Sequence, residues 1–461
     1  MRVFHFFFIF SAIIILSQNK SAEEWKTRAI YQLMTDRFAT TDGSEPECVL
    51  NQYCGGTHEG LRKNLDYIQN MGFDAIWISP IVKNTEGSYH SYHTIDFYDI
   101  NEHFGSKEDL KNLIAECHKR DIWVMLDVVA NHVGPVGFDF RTINPFNSPE
   151  HYHDSCAITD WTNQKMVENC RLCDLPDLKH ENNYVADELL RWINWILKEY
   201  DIDGIRVDTV PEVPQWFWKK FNKAAGVFQI GEVFNGDPHY VASYQGCLTS
   251  VFNYPLSFTI KNSFGGGNMS LLKDYWVESR DIYPDPKILG VFIDNHDNSR
   301  FMYDYPNKKK GLDNASVLMV LFEGIPVQYY GDEQYFNGGA DPNNREPLWG
   351  HYDTEGTLYV LISKSNKIRK GKKIWETELK IVGSDENYFA FTRGDVLVVL
   401  TNGESYGPIT ISEHEFKEGD EICNIFIEGE CITIDASMKF DLDMDGSPKV
   451  FVKREDLKYL N

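Results

Sequence analysis

The sequence predicts an α/β protein in which a (β/α)8 TIM barrel carries a subdomain inserted after its third strand and is followed by a C-terminal antiparallel β-sandwich. Three observations predict this fold. Short apolar runs alternate with helical periods, as is typical of buried parallel strands. One long polar stretch interrupts the alternation, and the helical periods stop near residue 372. The eight apolar runs are residues 29–34, 75–78, 123–126, 204–207, 228–230, 251–252, 289–293 and 326–330.

The N-terminal segment is typical of a secretory signal peptide. Arg2 precedes the apolar run 3–16, and the small residues Ser21 and Ala22 follow it. The run is shorter than the roughly 20 apolar residues of a bilayer-spanning helix, so we expect a signal peptide over residues 1–22 with cleavage near Ala22. An uncleaved signal anchor is the alternative. Cleavage predicts a secreted, extracellular protein without a membrane anchor, or one in the lumen of a digestive vacuole reached through the secretory pathway.

The barrel is predicted to comprise residues 23–132 and 179–375. Its helical periods are clearest in residues 110–117 and 189–197, where apolar side chains recur every three to four positions. Each of these periods leads from one apolar run to the next. Parallel strands joined by helices in this way are expected to close into a barrel.

Two further units interrupt or follow the barrel. The chain between the third and fourth runs is rich in Asn, Pro, His and Cys and is too long for an ordinary βα loop, so we assign residues 133–178 to an inserted subdomain. Apolar alternation in residues 396–400 and 431–434 is typical of strands with one buried face. We therefore assign residues 376–461 to the C-terminal β-sandwich.

The composition limits the possible partners. Hydrophobic residues make up 42 % and charged residues 25 % of the chain, as in folded globular proteins. The formal net charge is −24, which repels phosphate backbones and anionic lipids. The charge therefore argues against nucleic acid and membrane surfaces as partners, and we expect a monomer.

Acidic and histidine side chains follow four of the eight apolar runs. An isolated acid after a strand is usually a helix cap, but several charged groups at one rim are costly to desolvate unless they serve a function. The carboxyl ends of barrel strands share one face, where active sites lie. The side chains at this rim are Asp127, Asn131, His132, Arg206, Asp208, Glu232, Asp294, His296 and Asp297.

Three of these acids suit one reaction class. A retaining glycosidase needs a nucleophilic carboxylate and a proton-donating carboxyl about 5 to 5.5 Å apart. Asp208 and Glu232 follow neighbouring strands, and Arg206 would keep Asp208 ionised. Crowding by the two other acids would raise the pKa of one carboxyl group, as a general acid requires. A divalent-metal hydrolase or phosphotransferase is the alternative, but the sequence contains no phosphate-binding glycine motif.

Four segments resemble the signature regions of the α-amylase family of glycoside hydrolases, in the same order. Other segments are similar to the fungal, Taka-type members, and the resemblance covers nearly the whole mature chain, weakening after about residue 380. It implies endo-hydrolysis of α-1,4 bonds in starch- or glycogen-type glucans. The four segments are DVVANH (127–132), GIRVDTVPE (204–212), GEVF (231–234) and FIDNHD (292–297).

The resemblance implies a role for each matching residue. Asp208 is the nucleophile, Glu232 the general acid/base, and Asp297 the carboxylate that steadies the distorted sugar. Arg206 orients the nucleophile. The positions that match substrate-binding residues are His90, Tyr92, His132, Arg206, His296, Asp341 and Arg345.

The resemblance also implies a structural calcium ion and several disulfides. The calcium ligands would be the side chains of Asn131, Glu168 and Asp177 and the backbone carbonyl of Glu212, which suits a cation that prefers oxygen ligands. Two cysteine pairs match fungal disulfides, and a third pair would close in the β-sandwich. The three pairs are Cys48 with Cys54, Cys156 with Cys170, and Cys423 with Cys431, which leaves Cys117, Cys173 and Cys247.

The chain departs from the fungal pattern at two places. Pro211-Glu212 stands where those enzymes have Lys-His facing the leaving-group sugar, and His93 replaces a tryptophan beside Tyr92. An α-glucosidase or a glucanotransferase on the same fold would share every catalytic residue and is the alternative function. A non-catalytic relative would lack some of the three acids. Two glycosylation sequons begin at Asn268 and Asn314, the second within a predicted helix.

Overall fold

The computed structural model describes residues 20–460, so nearly all of the predicted signal peptide lies outside the described residues. Within the described part the chain forms strands β1 (Ile30–Gln32), β2 (Ala75–Ile78), β3 (Val82–Asn84), β4 (Thr94–Ile100), β5 (Trp123–Val128), β6 (Gly204–Val207), β7 (Phe228–Gly231), β8 (Ser250–Val251), β9 (Gly290–Val291), β10 (Ile325–Tyr329), β11 (Leu379–Ser384), β12 (Tyr388–Arg393), β13 (Val396–Thr401), β14 (Ser405–Ile411), β15 (Glu421–Asn424), β16 (Cys431–Thr433), β17 (Phe440–Asp445) and β18 (Lys449–Lys453).

The α-helices lie mostly between the barrel strands. Short 3-10 turns occur at several helix and strand ends. The helices are α1 (Ala22–Trp25), α2 (Thr35–Phe38), α3 (His58–Lys63), α4 (Leu65–Asn70), α5 (Lys107–Lys119), α6 (Gln164–Val167), α7 (Asn183–Tyr200), α8 (Gln215–Ala225), α9 (Pro238–Gln245), α10 (Tyr254–Phe264), α11 (Ser270–Ser279), α12 (Phe301–Asp304), α13 (Lys309–Leu321) and α14 (Thr357–Gly371).

Eight parallel strands form the predicted barrel. Their order is β8-β7-β6-β5-β2-β1-β10-β9, and a parallel bridge between Phe252 and Gly290 joins the two outer strands. Each of the eight predicted runs overlaps one of these strands, which confirms the fold class. The strands are buried on both faces, as parallel strands covered by helices must be.

Alternation along the strands divides the barrel core into two layers. In β5, Trp123 and Met125 belong to the cluster inside the barrel, whereas Val124 and Leu126 belong to the layer under the helices. Trp25 of α1 closes the interior and stacks on Phe228 with ring centroids 5.1 Å apart. Trp25 therefore closes the end of the barrel at which β6 and β7 begin.

A helix such as α5 forms where the sequence predicts it. Ser106 caps its N-terminus, because its hydroxyl accepts from the Asp109 amide while the Asp109 carboxylate accepts from Ser106. The apolar face of α5 is buried, and Cys117 lies on it as a buried free thiol. The predicted helical period in residues 110–117 is thus confirmed.

Two segments leave the barrel at the carboxyl ends of its strands. The antiparallel pair β3 and β4 follows β2 and was not among the predicted strands. Between β5 and α7 the chain forms the predicted insertion, in which isolated bridges pair His132 with Asp177 and Tyr152 with Leu178. The first bridge binds the end of the insertion to the loop after β5, and the second pairs two segments of the insertion itself.

The C-terminal strands form the predicted antiparallel β-sandwich. A six-stranded sheet, β11-β12-β13-β18-β15-β16, packs on the two-stranded sheet β14-β17 through a separate apolar cluster. Asn314 of α13 joins it to the barrel: its buried side-chain amide donates to the Gly446 carbonyl (2.9 Å) and accepts from the Thr401 amide (3.0 Å).

The three predicted cysteine pairs are disulfide-bonded: Cys48 with Cys54, Cys156 with Cys170, and Cys423 with Cys431. Cys117 and Cys247 are buried thiols, and Cys173 is an exposed one. Among residues 20–460, no helix has the length and apolar character that crossing a membrane requires.

Candidate active site

The acids of the rim meet around one guanidinium group. Arg206 of β6 lies beside Asp127 of β5 in parallel register, so both side chains project at the same level. Arg206 Nη1 lies 3.0 Å from Asp127 Oδ1 and 2.6 Å from Asp208 Oδ1, and Nη2 lies 2.7 Å from Glu232 Oε2. The structure therefore brings the predicted pair Asp208 and Glu232 together through a single buried cation.

One guanidinium cannot neutralise three carboxylates. Burial raises the pKa of Asp127 to about 6 despite the nearby Arg206. Burial also raises the pKa of Asp208, and Arg206 opposes that rise. Burial of Asp208 therefore works against the expectation that Arg206 keeps this carboxylate ionised, although the guanidinium acts in the expected direction.

A chain of hydrogen bonds fixes His296 beside this cluster. Gln32 Nε2 donates to His296 Nδ1 (2.8 Å), so the other ring nitrogen carries the proton and donates to the Tyr92 hydroxyl (2.7 Å). Tyr92 in turn donates to Asp127 Oδ2 (2.7 Å), which also accepts from Trp77 Nε1 (3.0 Å). Burial lowers the pKa of His296 well below its usual value, so the imidazole is neutral.

The other two predicted histidines, from two different loops, both contact the backbone of Tyr92. His132 Nε2 donates to the Tyr92 carbonyl (3.1 Å), and His90 Nδ1 accepts from the Tyr92 amide (3.1 Å). Burial lowers the pKa of His132 to about 4 and lowers that of His90. All three histidines thus surround Tyr92 as neutral rings.

Arg345 connects the third acid to the outer rim. Its guanidinium lies 3.6 Å from Asp297 Oδ1 and 2.9 Å from Asp341 Oδ1, and its Nε donates to the His296 carbonyl (3.0 Å). The Tyr89 hydroxyl lies between Arg345 and Asp341. The predicted residues Asp297, Asp341 and Arg345 are therefore contiguous.

Sequence reasoning assigned no role to several residues that support the site. Asp127 receives hydrogen bonds from both Tyr92 and Trp77 and pairs with Arg206. The sequence could have indicated a role for Asp127, because it is the single acid in a fully buried strand. Tyr254, whose hydroxyl lies 3.5 Å from Glu232 Oε1, had no such signal because its position depends on how the barrel closes.

A second group of oxygens lies where the insertion meets the barrel. Asn131 and Asp177 are fully buried, and the Glu212 carbonyl lies beside them. The end of the Asn131 amide that faces them is 2.9 Å from Asp177 Oδ1 and 3.2 Å from the Glu212 oxygen. If the amide nitrogen of Asn131 faces these two oxygens, it donates a hydrogen bond to each of them. If the amide oxygen faces them, three oxygens lie together and require a cation.

The neutral His132 ring decides between these orientations. Its Nε2 donates to the Tyr92 carbonyl, so its Nδ1 carries no proton and must accept from Asn131 Nδ2 (3.2 Å). In the reversed orientation the Asn131 oxygen would face His132 Nδ1, which would then have to carry a proton as well. The lowered pKa of His132 opposes this doubly protonated ring. Asn131 Oδ1 therefore faces Asp177 and the Glu212 carbonyl, and this oxygen set fits a calcium ion.

Glu168 is linked through Gln164 to Pro211, the residue before Glu212. Its carboxylate accepts from Gln164 Nε2 (2.9 Å), which also donates to the Pro211 carbonyl (2.9 Å). Among the described residues the one close cluster of three potential metal ligands is Glu421, Cys423 and Cys431. Its two cysteines are disulfide-bonded, so it is not a metal centre.

Two hollows lie at this rim, one lined by two of the three acids and one lined by Asp341. One, of about 410 Å³, is lined by Tyr89, His90, His93 and Asp341 among others. The other, of about 580 Å³, contains Glu232 and Asp297 together with residues of the insertion and of the loops after β6 and β7. A chain molecule could thus pass over the acids and occupy both hollows.

Comparison with known proteins agrees with this geometry. A model of the α-amylase catalytic domain matches residues 32–387. The chain is 36 % identical to an α-amylase of Saccharomycopsis fibuligera, covering 95 % of this chain and 94 % of the relative.

Solved structures show the same architecture. An α-amylase from Malbranchea cinnamomea superposes with a TM-score of 0.91 at 36 % identity, covering 95 % of this chain and 98 % of the other. CldA, a cyclomaltodextrin glucanotransferase, superposes with a TM-score of 0.83 at 27 % identity, covering 93 % and 99 %. With its barrel, its acids and these relatives, the chain belongs to the α-amylase family of glycoside hydrolases.

Proposed function

We propose that this enzyme is a secreted α-amylase that cleaves internal α-1,4 bonds of starch- or glycogen-type glucans with retention at the anomeric carbon. The observation that carries the proposal is the Arg206 guanidinium, which joins Asp208 and Glu232 within hydrogen-bonding distance. A nucleophile and an acid held by one group lie close enough to act on one glycosidic bond.

The reaction proceeds in two displacements. Asp208 attacks the anomeric carbon while Glu232 gives its proton to the glycosidic oxygen, so the carbon–oxygen bond breaks and a glucosyl-enzyme ester forms. Arg206 holds Asp208 Oδ1, which leaves Oδ2 to attack. Glu232 then takes a proton from water, whose oxygen replaces Asp208. Asp297, held by Arg345, stabilises the positive charge on the sugar.

The surrounding residues position the sugar chain. His90, Tyr92, His132 and His296 would contact the glucosyl unit at the cleaved bond, with the neutral rings able to donate or accept hydrogen bonds. Asp341 and Arg345 would bind the non-reducing side. The hollow containing His90 and Asp341 is then the donor side, and the hollow containing Glu212 receives the leaving group.

Calcium would occupy the oxygen group at the base of the insertion. Asn131, Asp177 and the Glu212 carbonyl would bind it directly, with Glu168 completing the set at its edge. Its chemistry there is structural, because a hard cation ties the insertion to the barrel. Burial raises the pKa of Asp177 to about 7, so a neighbouring cation would offset an otherwise costly charge.

The remaining proposals concern the whole chain. We propose that residues 1–22 are the signal peptide and that residues 23–132 and 179–375 form the barrel domain. Residues 133–178 form the inserted subdomain, and residues 376–461 form the C-terminal β-sandwich. Three disulfides and the net charge of −24 support a monomeric enzyme secreted outside the cell or into a digestive vacuole and acting on a neutral glucan.

A glucanotransferase is the second candidate, favoured by the likeness to a cyclomaltodextrin glucanotransferase. A time course of products from maltohexaose separates the functions. An α-amylase gives short linear chains with the α-anomer formed first by NMR, and Glu232→Gln abolishes them. Chains longer than the substrate or cyclic products would support the transferase, and glucose alone an α-glucosidase.

A further inference from the structure

Tyr89 is a buried residue of the rim that was not among the predicted site residues. Its hydroxyl accepts a hydrogen bond from Arg345 Nη1 (3.1 Å) and donates one to Asp341 Oδ1 (3.3 Å). Burial raises the pKa of Tyr89, so the hydroxyl keeps the proton that it donates. The Asp341 side chain is 51 % exposed, whereas Tyr89 is only 4 % exposed. Tyr89 is therefore the buried one of the two partners that hold this end of the Arg345 guanidinium.

The three nitrogen atoms of the Arg345 guanidinium face different partners. Its Nε donates to the His296 carbonyl (3.0 Å), its Nη1 donates to Tyr89, and its Nη2 lies 3.6 Å from Asp297 Oδ1. A guanidinium group is planar and rigid, so two fixed nitrogens determine where the third one lies. Among the described residues, Arg345 is the only arginine or lysine that pairs with Asp297. The orientation of Asp297 therefore depends on how Arg345 is held.

A second arginine stacks on the ring of Tyr89. The Arg37 guanidinium carbon lies 4.2 Å from the ring centroid, and the Arg37 side chain is fully buried. Its Nη2 donates to the carbonyls of Leu50 (2.9 Å) and Gln52 (2.7 Å), which lie within the loop closed by the first disulfide. A cation over the face of a phenol ring attracts that ring. This loop thus fixes Arg37, and Arg37 in turn fixes the ring of Tyr89.

We propose that Tyr89 is a positioning residue for the reaction, because its hydroxyl holds Arg345 in the orientation that directs Asp297 toward the sugar. This inference rests on the proposed function, in which Asp297 stabilises the positive charge of the transition state. Tyr89 acts only through Arg345, so its contribution should disappear when Arg345 is replaced. Tyr89 also lines the hollow that contains His90 and Asp341, so direct contact with the substrate is the competing explanation.

The test is a double-mutant cycle in which kcat and KM are measured on maltohexaose. Tyr89→Phe removes only the hydroxyl and keeps the ring stacked on Arg37, so this variant should remain folded. Its kcat should fall roughly 5-fold or more, as expected when a hydrogen bond to a charged group is lost, while KM changes less than about twofold. In an Arg345→Lys enzyme, which lacks the planar fork, adding Tyr89→Phe should lower kcat less than about twofold.

The matched control is Tyr359→Phe, which removes the hydroxyl of another buried tyrosine. Tyr359 is also 4 % exposed, and its hydroxyl donates to the Tyr67 carbonyl (2.8 Å) outside both hollows. Its effect on kcat should be small and equal in the wild-type and Arg345→Lys enzymes. Circular dichroism measures the folded fraction of each variant, and every kcat is divided by that fraction.

Three results would overturn the inference. An equal fractional loss of kcat from Tyr89→Phe in the wild-type and Arg345→Lys enzymes would show that the hydroxyl does not act through Arg345. A higher KM with unchanged kcat would assign Tyr89 to direct binding of the sugar chain. Unchanged kcat and KM would show that the hydroxyl has no part in the reaction. A wild-type enzyme that does not cleave maltohexaose would instead refute the proposed function, which distinguishes that failure from the other three.

Discussion

Two groups of buried acids lie on the same side of the barrel and differ in what balances their charge. In the catalytic cluster, Arg206 contacts Asp127, Asp208 and Glu232. In the group at the insertion, the His153 ring lies between the carboxylates of Asp177 and Glu181 and contacts both. No arginine or lysine among the described residues contacts Asp177. The first group contains its own cation, and in our proposal the second takes one from solution.

This difference suits the two tasks. Catalysis needs carboxylates whose positions do not depend on the medium, and a fixed guanidinium provides that. Attachment of a subdomain needs only a bond between distant segments, which a metal ion can supply reversibly. Substitutions in each group should therefore affect different properties.

The largest expected effect is on the catalytic step. Asp208→Asn and Glu232→Gln should each reduce kcat on amylose on the order of 10⁴-fold, because they remove the proposed nucleophile and the proposed proton donor. Glu333→Gln serves as the control for the same change in a buried acid outside the cleft. Near wild-type turnover in either rim variant would contradict the assignment.

Arg206→Lys breaks the catalytic cluster in another way. A single ammonium cannot contact three carboxylates at once, so kcat should fall on the order of 10²-fold as the acids lose their alignment. Arg300→Lys is a matched control, since Arg300 bridges Asp332 and Glu346 away from the acids. If both variants lose the same fraction of kcat, the bridge in the active site has no special role.

Removal of calcium should affect stability first. A chelator is expected to lower the melting temperature, corresponding to about 2.7 kcal/mol if calcium is present at a hundredfold excess over its Kd. Asp177→Asn should lose this dependence, while Asp174→Asn, an exposed acid of the same insertion, should keep it. A wild-type melting curve that a chelator leaves unchanged would exclude a structural ion.

The smallest effect concerns Asp127 and pH. Its pKa is raised from 3.8 to about 6, so the folded state binds more protons than the unfolded state between these values. This contribution to the free energy of unfolding therefore falls as the pH rises through that window, with a slope of at most about 1.4 kcal/mol per pH unit.

Asp127→Asn should remove this contribution. Urea denaturation at pH 4.5, 5.5 and 6.5 checks it: the stability of the variant relative to the wild type should increase with pH. A difference that is constant, or that decreases, would show that Asp127 does not titrate in this range.

The sequence predicted the barrel well because its strands are buried on both faces and read as short apolar runs. The strands β3 and β4 were not predicted, because their residues are only partly buried and do not form a short apolar run. The rim acids were predictable from their place after strands. The hydrogen bonds of Gln32, Trp77 and Tyr254 could not be predicted, because their partners are far away in sequence. These residues meet only after the barrel has closed.

The buried amide of Asn314 bears on how the chain can be modified during its synthesis. Attachment of an N-linked glycan would use the nitrogen that donates to the Lys310 and Gly446 carbonyls. A sugar at this position and docking of the β-sandwich on α13 exclude each other. The folded enzyme exposes Asn268 and buries Asn314, so a glycan added to Asn314 before folding would keep the β-sandwich from docking on α13.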